Sequence, residues 1–266
     1  MARPIVALLS DFGTADHYAG TMKAVVLGVC PDVTLVDIAH DLPAHDVMAG
    51  ALQLAACYRY FPAGTVFLVV VDPGVGSARR GIAAEAGDYR FVAPDNGVLS
   101  AVFKELAPRK VVELTERKYA RPTISRTFEG RDRFAPAAGW LAKGLALASL
   151  GRGVSDYARL ELPDVAVSAV SVSGVVLHID RFGNAITNIE RRDVEKVIQG
   201  GAAMVAAGPH EIARIVTTYD EAAENEPCAL FGSSEHLEIA VKSASAADQL
   251  SLSRGTPVVV RRRPPS

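Results

Sequence analysis

Cysteine is scarce in this chain: Cys30, Cys57 and Cys228 are the three present, and they are widely separated. No CxxC pair or Cys/His cluster occurs, so the sequence supports neither a zinc site nor a disulfide framework. Cys30 and Cys57 lie in or beside apolar helical patterns, where we expect them to be small core residues. The six histidines also lack a spacing typical of metal ligands. We therefore expect no metal and no bound cofactor.

Excess charge and long apolar runs are absent as well. The formal net charge is −2 in 266 residues, which gives no electrostatic basis for binding nucleic acid or an anionic membrane. No apolar run approaches the ~20 residues needed to span a bilayer, and the N-terminus lacks the apolar region of a signal peptide. We expect a cytoplasmic protein without nucleic-acid or membrane partners. The one basic run, Arg261 to Arg263 before Pro264-Pro265-Ser266, is interpreted as a solvated tail.

Apolar residues are abundant, at 49% of the chain, and they follow two patterns. Residues 1–150 alternate strand and helix patterns, which is typical of an α/β domain with a mostly parallel sheet and flanking helices. Asp46 is predicted to cap the second helix, and Asp132 to cap a helix over residues 133–150.

After residue 151 short β-type runs dominate, which predicts a smaller all-β, barrel-like C-terminal domain. We predict an N-terminal domain at 1–155, a linker at 156–168 and a C-terminal domain at 169–266. The predicted strands of the second region span residues 165–177, 203–207, 214–218, 228–231, 237–241 and 257–261.

The most informative segment is the loop that follows the strand pattern of residues 65–71. Asp72 comes first, and Gly74, Gly76 and Arg79 follow. Ligands of open α/β sheets bind beyond the carboxyl ends of the strands, and glycine lets the backbone approach a ligand closely. Asp72 and Arg79 form either a structural ion pair or a functional pair, and their loop favours function. Neither a P-loop nor a GxGxxG motif occurs, which points to chemistry on something other than phosphate.

Other candidates lie in loops of the same region. Asp11 follows the first strand, where a carboxylate accepts the hydroxyls of a ribose or simply caps a turn. Phe128 fits either core packing or stacking on a base. Glu129, taken alone, is typical of a solvated loop acid, although it also suits a site acid. His45, just before the second helix, is a further candidate for substrate binding.

The second region contributes two polar turns. Phe182 and Asn184 flank a glycine, and asparagine has the amide best suited to pair with the edge of adenine. Ser233 and Ser234 follow another glycine, and their hydroxyls suit a carboxylate. Taken alone, each turn is better explained as a simple connection between strands.

Taken together, these motifs resemble the S-adenosyl-L-methionine hydroxide adenosyltransferase family, which is related to the fluorinases and chlorinases. The resemblance covers essentially the whole chain. It implies an α/β N-terminal domain, a β-barrel C-terminal domain and a homotrimer with each site between two subunits. The motifs that carry it are, in order, residues 10–13, 72–76, 93–97, 182–184 with Thr187-Asn188, and 232–234.

The resemblance also implies residue roles in the displacement by water at C5′ of S-adenosylmethionine, which yields adenosine and L-methionine. The ribose diol is assigned to Asp11 and the methionine amine to Asp16. Adenine is assigned to Phe182 and Asn184, and the methionine carboxylate to Ser233 and Ser234. Asp72 and Arg79 match two members of the family's Asp, Arg and His water-activating triad.

The third member of that triad differs, because this chain has Phe128-Glu129-Gly130 where the family has Phe-His-Gly. A glutamate still accepts a proton from water and is able to act as a general base. We therefore expect a hydrolase that uses Asp72, Arg79 and Glu129. The alternatives are a binding protein whose chemistry is silenced at position 129 and an enzyme that transfers a halide, which two neighbouring carboxylates would repel.

Overall fold

A computed structural model describes residues 3–212 and 214–263, and the chain divides into two units, Met1–Glu161 and Leu162–Ser266. The division falls within residues 156–168, where the sequence predicts a linker. In the first unit the elements are β1 Ile5–Ser10, α1 Tyr18–Val29, β2 Thr34–Ala39, α2 Val47–Cys57, β3 Val66–Val70, β4 Gly81–Ala86, β5 Tyr89–Pro94, α3 Ser100–Glu105, β6 Pro108–Glu113 and α4 Ala135–Ala142.

The strands of the first unit form one mixed sheet in the order β2-β1-β3-β5-β4-β6. β1 pairs in parallel with β2 and β3, and β3 pairs in parallel with β5. β4 is antiparallel to both β5 and β6, so the parallel arrangement that the sequence predicts for most of the sheet holds for β2, β1, β3 and β5 and ends at β4. The predictions did not include β4.

The apolar run in β3 is explained by helices on both faces of the sheet. Val66, Leu68 and Val70 pack into a cluster that includes residues of α1 and α4. Phe67 and Val69 point the other way, into a cluster with Leu54 of α2 and its neighbours. Because successive side chains of a strand point to opposite faces, a strand covered on both sides must be apolar throughout.

The helix predicted over residues 133–150 is broken into pieces. A π-helical turn at Gly130–Phe134 precedes α4, and a 3₁₀ turn follows at Leu147–Leu150. Asp132 is therefore not an N-cap: it is fully buried and accepts a hydrogen bond from the Ser125 backbone N–H at 2.8 Å. The predicted cap at Asp46 is confirmed, since its side chain accepts from the Ala49 N–H at 2.9 Å.

The second unit contains an antiparallel, barrel-like sheet in the order β11-β10-β14-β8-β9-β13-β12, with β7 paired to β8. An isolated bridge between Ile215 and Ala229 joins the segment after β11 to β12, so the sheet is nearly closed. The elements are β7 Ala166–Val167, β8 Ser171–Ile179, β9 Ala185–Glu190, α5 Arg191–Ile198, β10 Ala203–Ala207, β11 His210–Ile212, β12 Pro227–Phe231, β13 His236–Val241, α6 Ala246–Gln249 and β14 Pro257–Arg262.

Three predictions for this unit need correction. The unit is not all-β, because α5 and α6 interrupt the strands. A strand at residues 214–218 is wrong, since only the isolated bridge at Ile215 forms there. Arg261 and Arg262 are exposed residues of β14 rather than part of a tail, and Pro264 to Ser266 lie outside the described residues.

No helix in the described part of the chain is both long and apolar enough to cross a membrane. Cys30 is buried in the core of the first unit, as predicted, whereas Cys57 is only partly buried.

Candidate active site

Two of the predicted site loops begin at one edge of the first unit's sheet. β1 and β3 are parallel neighbours, and their last residues, Ser10 and Val70, are partners in the register. Asp11 follows β1 directly, and Asp72 lies two residues beyond β3. Because the carboxyl ends of parallel strands meet at one edge, the sheet itself brings these two loops together.

Asp72 and Arg79 form a bidentate ion pair within one loop. Arg79 Nε donates to Asp72 Oδ1 at 2.8 Å, and Arg79 Nη2 bonds Asp72 Oδ2. The side chains of Asp72 and Arg79 are only 5% and 10% exposed. Gly76 allows the loop to turn, with φ of 77°, and a Cβ there would overlap the Arg126 carbonyl. Such a buried, two-point pair is well oriented and differs from a mobile surface salt bridge.

Glu129 joins the same cluster from a distant segment. Its Oε2 lies 2.8 Å from Arg79 Nη2, and its side chain is only 12% exposed, so the interpretation as a solvated loop acid is wrong. The π-helical turn that begins at Gly130 places it there. Phe134 of that turn contacts the Arg79 guanidinium, whose central carbon lies 5.1 Å from the ring centroid. One guanidinium thus lies between two carboxylates.

Asp11 is held by the backbone of His45. The His45 N–H donates to Asp11 Oδ2 at 2.7 Å, and His45 has a positive φ of 67°. The bond fixes the Asp11 carboxylate at the sheet edge while the His45 side chain remains exposed. Asp16 is also exposed, in the loop before α1. Capping of the next turn does not explain Asp11, because its carboxylate bonds to the remote residue 45.

Phe128 packs in the core of the first unit, which confirms one of its two interpretations. Its ring makes edge contacts with Phe12 at 5.8 Å and Tyr18 at 5.1 Å between centroids. Tyr18 is 40% exposed, so this aromatic cluster reaches the surface. A contact between Phe128 and substrate stays a prediction.

In the second unit, Asp180 organises the turn that carries Phe182 and Asn184. Its Oδ1 accepts from the backbone N–H groups of both residues, at 2.8 and 2.9 Å, and its Oδ2 accepts from Asn184 Nδ2 at 3.0 Å. Asn184 is buried and oriented, whereas Phe182 is 78% exposed. A single exposed ring is ordinary on a protein surface, so a contact between Phe182 and adenine stays a prediction.

Ser233 and Ser234 are exposed in the turn between β12 and β13. Beneath this turn lies Glu238, a buried residue of β13 whose Oε2 accepts from the Tyr219 hydroxyl at 2.8 Å. A Cβ at position 232 would overlap the Glu238 carboxylate, which explains the glycine before the two serines. Burial raises the pKa of Glu238, the Tyr219 hydrogen bond lowers it, and the nearby Asp180 charge raises it.

Within the first unit the structure therefore brings Asp72, Arg79 and Glu129 into direct contact and bonds Asp11 to the backbone of residue 45. Among the described residues, no group of three or more His, Cys, Asp or Glu side chains is arranged to hold a metal ion. The cluster is suited to holding and deprotonating a small polar molecule, since it offers carboxylate oxygens around a fixed cation.

The two units match two known domains in the order found here. The family model described as SAM hydroxide adenosyltransferase N-terminal domain matches residues 6–151, and the one described as SAM hydroxide adenosyltransferase C-terminal domain matches residues 174–259. The chain belongs to the SAM hydroxide adenosyltransferase family.

Relatives of this adenosyltransferase-family chain span nearly its full length. A protein of Thermus thermophilus named (R)-S-adenosyl-L-methionine hydrolase is 39% identical over 264 residues, covering 96% of this chain and 98% of the relative. A fluorinase of an Actinoplanes species is 30% identical over 291 residues, covering 97% and 98%. The crystal structure of an uncharacterized conserved protein from Thermotoga maritima has a TM-score of 0.92 at 33% identity, covering 97% and 100%.

Sequence reasoning about this adenosyltransferase-family chain missed Asp180, Tyr219 and Glu238. Asp180 carried a usable signal, because an aspartate two residues before a turn residue often accepts backbone N–H groups. Glu238 did not, since a single acid in an apolar strand pattern is equally compatible with a solvent-facing position.

Proposed function

We propose that this protein hydrolyses S-adenosyl-L-methionine to adenosine and L-methionine. Membership of the adenosyltransferase family supports the reaction, and a 39% identical relative of nearly equal length is named as that hydrolase. The structural observation that carries the proposal is the contact of Arg79 with both Asp72 and Glu129 in a nearly buried cluster.

In this proposal Asp72, Arg79 and Glu129 handle the water. Glu129 and Asp72 accept hydrogen bonds from it, and Arg79 holds both carboxylates in place. The water oxygen forms a bond to C5′ while the C5′–S bond breaks, and the electron pair of the broken bond stays on sulfur. A carboxylate takes the water proton and releases it to solvent. The leaving thioether is neutral, so no general acid is required, and in-line positioning supplies much of the acceleration.

The binding roles follow the family pattern. Asp11, oriented by the His45 backbone, accepts the ribose hydroxyls, and Asp16 contacts the methionine amine. His45 and Phe128 are the other residues of the first unit that this proposal assigns to substrate binding. Adenine lies against Phe182 and pairs with Asn184, and Ser233 and Ser234 bind the methionine carboxylate.

The assembly in this proposal is a homotrimer in which the first unit of one subunit and the second unit of the next form each site. The substrate is a small molecule, and the reaction as drawn uses no metal or other cofactor. A cytoplasmic location and the absence of nucleic-acid and membrane partners stay predictions.

Water is favoured over halide by the charges around Arg79. Asp72 and Glu129 both contact this one guanidinium, so an anion that enters beside them meets carboxylate oxygens at short range. Unit charges 4 Å apart interact by about 4 kcal/mol at an effective dielectric constant of 20. A halide beside the two acids is therefore opposed, whereas water donates hydrogen bonds to them.

The test is to incubate the purified protein with S-adenosyl-L-methionine and quantify adenosine and methionine. Glu129→Gln keeps the shape of the side chain but removes its basicity, and we expect kcat to fall by about 10²-fold with little change in KM. Glu129→His restores the family residue and should retain activity. Glu105→Gln, which removes an acid bonded to Tyr58 and Arg59, is the matched control and should leave kcat unchanged.

Other products identify the alternatives. Intact substrate retained in stoichiometric amount by the wild-type protein would make it a binding protein. A 5′-halogenated deoxyadenosine formed in high chloride would make it a halide transferase. Full activity of Glu129→Gln would show that hydrolysis does not use this carboxylate as a base.

A further inference from the structure

Arg133 is a second cation beside Glu129. Its Nε lies 3.7 Å from Glu129 Oε1, and the two residues are one helical turn apart, in an i,i+4 relation. The Nε atom is buried and, among the described residues, makes no hydrogen bond. The Glu129 carboxylate therefore contacts two guanidinium groups: that of Arg79 lies close to Oε2, and that of Arg133 lies farther from Oε1.

The loose contact leaves a buried donor one small movement away from a hydrogen bond. An N–H···O hydrogen bond spans about 2.7–3.2 Å, so a shift of roughly 0.5–1 Å by Glu129 or Arg133 would complete it. A buried donor without a partner is costly. The arrangement therefore favours a Glu129 carboxylate that turns Oε1 toward Arg133 and keeps Oε2 on Arg79.

Two other acids near this turn, Asp132 and Asp72, are already paired with other arginines. Asp132 is fully buried and takes both Arg131, with Nε at 2.7 Å, and Arg121, with Nε at 3.2 Å. Asp72 is bound by Arg79. Arg133 is thus the cation that balances the negative charge of Glu129, and the four groups Asp72, Arg79, Glu129 and Arg133 sum to zero.

We propose that Arg133 is a positioning residue for hydrolysis: it holds Glu129 Oε1 and so sets the orientation in which the carboxylate meets the attacking water. This inference rests on the proposed function. Arg133 does not touch the reacting atoms, and its effect passes through Glu129. Misplacing a catalytic group by about 1 Å costs up to 10²-fold in rate.

The surroundings of Arg133 favour a clean substitution. Its side chain is 33% exposed and lines an open cleft of about 270 Å³. Shortening it removes little core packing, so we expect the variants to fold. Other residues that line the cleft include Glu113, Glu116, Arg117, Tyr119 and Ile124.

The test is a double-mutant cycle on turnover of S-adenosyl-L-methionine by the full-length protein. We expect Arg133→Gln to lower kcat by about tenfold with less than about a twofold change in KM. Arg133→Lys should recover most of the lost rate, because it restores the charge. In a Glu129→Gln background, Arg133→Gln should change kcat by less than about twofold. Lys196→Gln, which breaks the exposed helical pair with Asp193, is the charge-matched control and should be silent.

The outcomes separate the two claims. Suppose that the wild-type protein hydrolyses the substrate. If Arg133→Gln then leaves kcat unchanged, or lowers kcat by the same factor with and without Glu129, Arg133 does not position Glu129. If the wild-type protein forms no adenosine, the proposed function fails, and with it any role of Arg133 in turnover. A rate lost only when Glu129 is present, and recovered by lysine, supports the inference.

Discussion

At the scale of single residues, Glu129 places a negative charge where the motif resemblance implies a histidine. The structure pairs that charge with Arg79 at 2.8 Å and with Arg133 at 3.7 Å. Removing one partner of a buried pair leaves an uncompensated charge, which costs about 3–5 kcal/mol. A glutamate is therefore acceptable at this position because two cations surround it.

A second buried acid yields a prediction about pH. Burial raises the pKa of Glu238 above its ordinary value of 4.5, so the folded protein binds this proton more readily than the unfolded chain. The stabilisation that protonated Glu238 provides is complete below the pKa that this group has in the unfolded chain. It is lost as pH rises through the pKa that Glu238 has in the folded protein. We expect Glu238→Gln to remove that loss, so that the variant gains stability relative to wild type as pH increases.

The measurement is the free energy of unfolding from chemical denaturation at several pH values, with each unit of pKa shift worth about 1.4 kcal/mol. Glu211→Gln, at an exposed position of β11, is the matched control and should follow the wild-type curve. Parallel curves for Glu238→Gln and wild type would mean that Glu238 does not titrate differently on folding.

At the scale of elements, the packed helices α1 and α4 each contain a glycine, one exposed to solvent and one buried between the two helices. Gly139 of α4 faces α1, where a Cβ would lie 2.9 Å from Val29 Cβ and 3.3 Å from the Val26 carbonyl oxygen. Gly28 of α1 is exposed, and a Cβ at that position would have nothing within 4 Å. The first glycine permits close helix packing, and the second has no such role.

Substituting alanine at each glycine tests this difference. We expect Gly28→Ala to stabilise the protein by about 0.5–1 kcal/mol, because alanine is the better helix former. Gly139→Ala should destabilise it by about 1–3 kcal/mol through overpacking against Val29. Thermal or denaturant unfolding measures both changes. Equal effects of the two substitutions would rule out a special packing role for Gly139.

At the scale of the whole molecule, the proposed binding groups are divided between the two units. The first unit carries the charged cluster, and the second carries Asn184 and the exposed ring of Phe182. In the proposed homotrimer, groups from neighbouring subunits combine in one site. Its mass in solution, measured by light scattering, should be three times that of the chain.

A complementation experiment tests where the sites lie. Glu129→Gln damages the first unit, and Asn184→Ala damages the second. If sites form between subunits, co-assembly of equal amounts of the two variants should restore about a quarter of the wild-type rate. Half of the chains supply an intact first unit and half supply an intact second unit, so about one site in four receives both. If both parts of a site come from one chain, every site keeps a defect, and mixing restores nothing.

Much of this protein was predictable from local sequence patterns. The run of residues 65–71, the Asp46 cap and the loop from Asp72 to Arg79 depend on residues close together in the chain, and each formed as expected. Side-chain period, capping and turn preference act over a few residues, so a single sequence reports them.

Only the tertiary structure decided which distant groups meet. The contact of Arg79 with Glu129 and the bond from the His45 N–H to Asp11 each join segments far apart in the chain. Strand β4 likewise takes its antiparallel place from its neighbours β5 and β6. Such contacts form when burial and hydrogen bonding across the whole fold outweigh local preference, which no short stretch of sequence encodes.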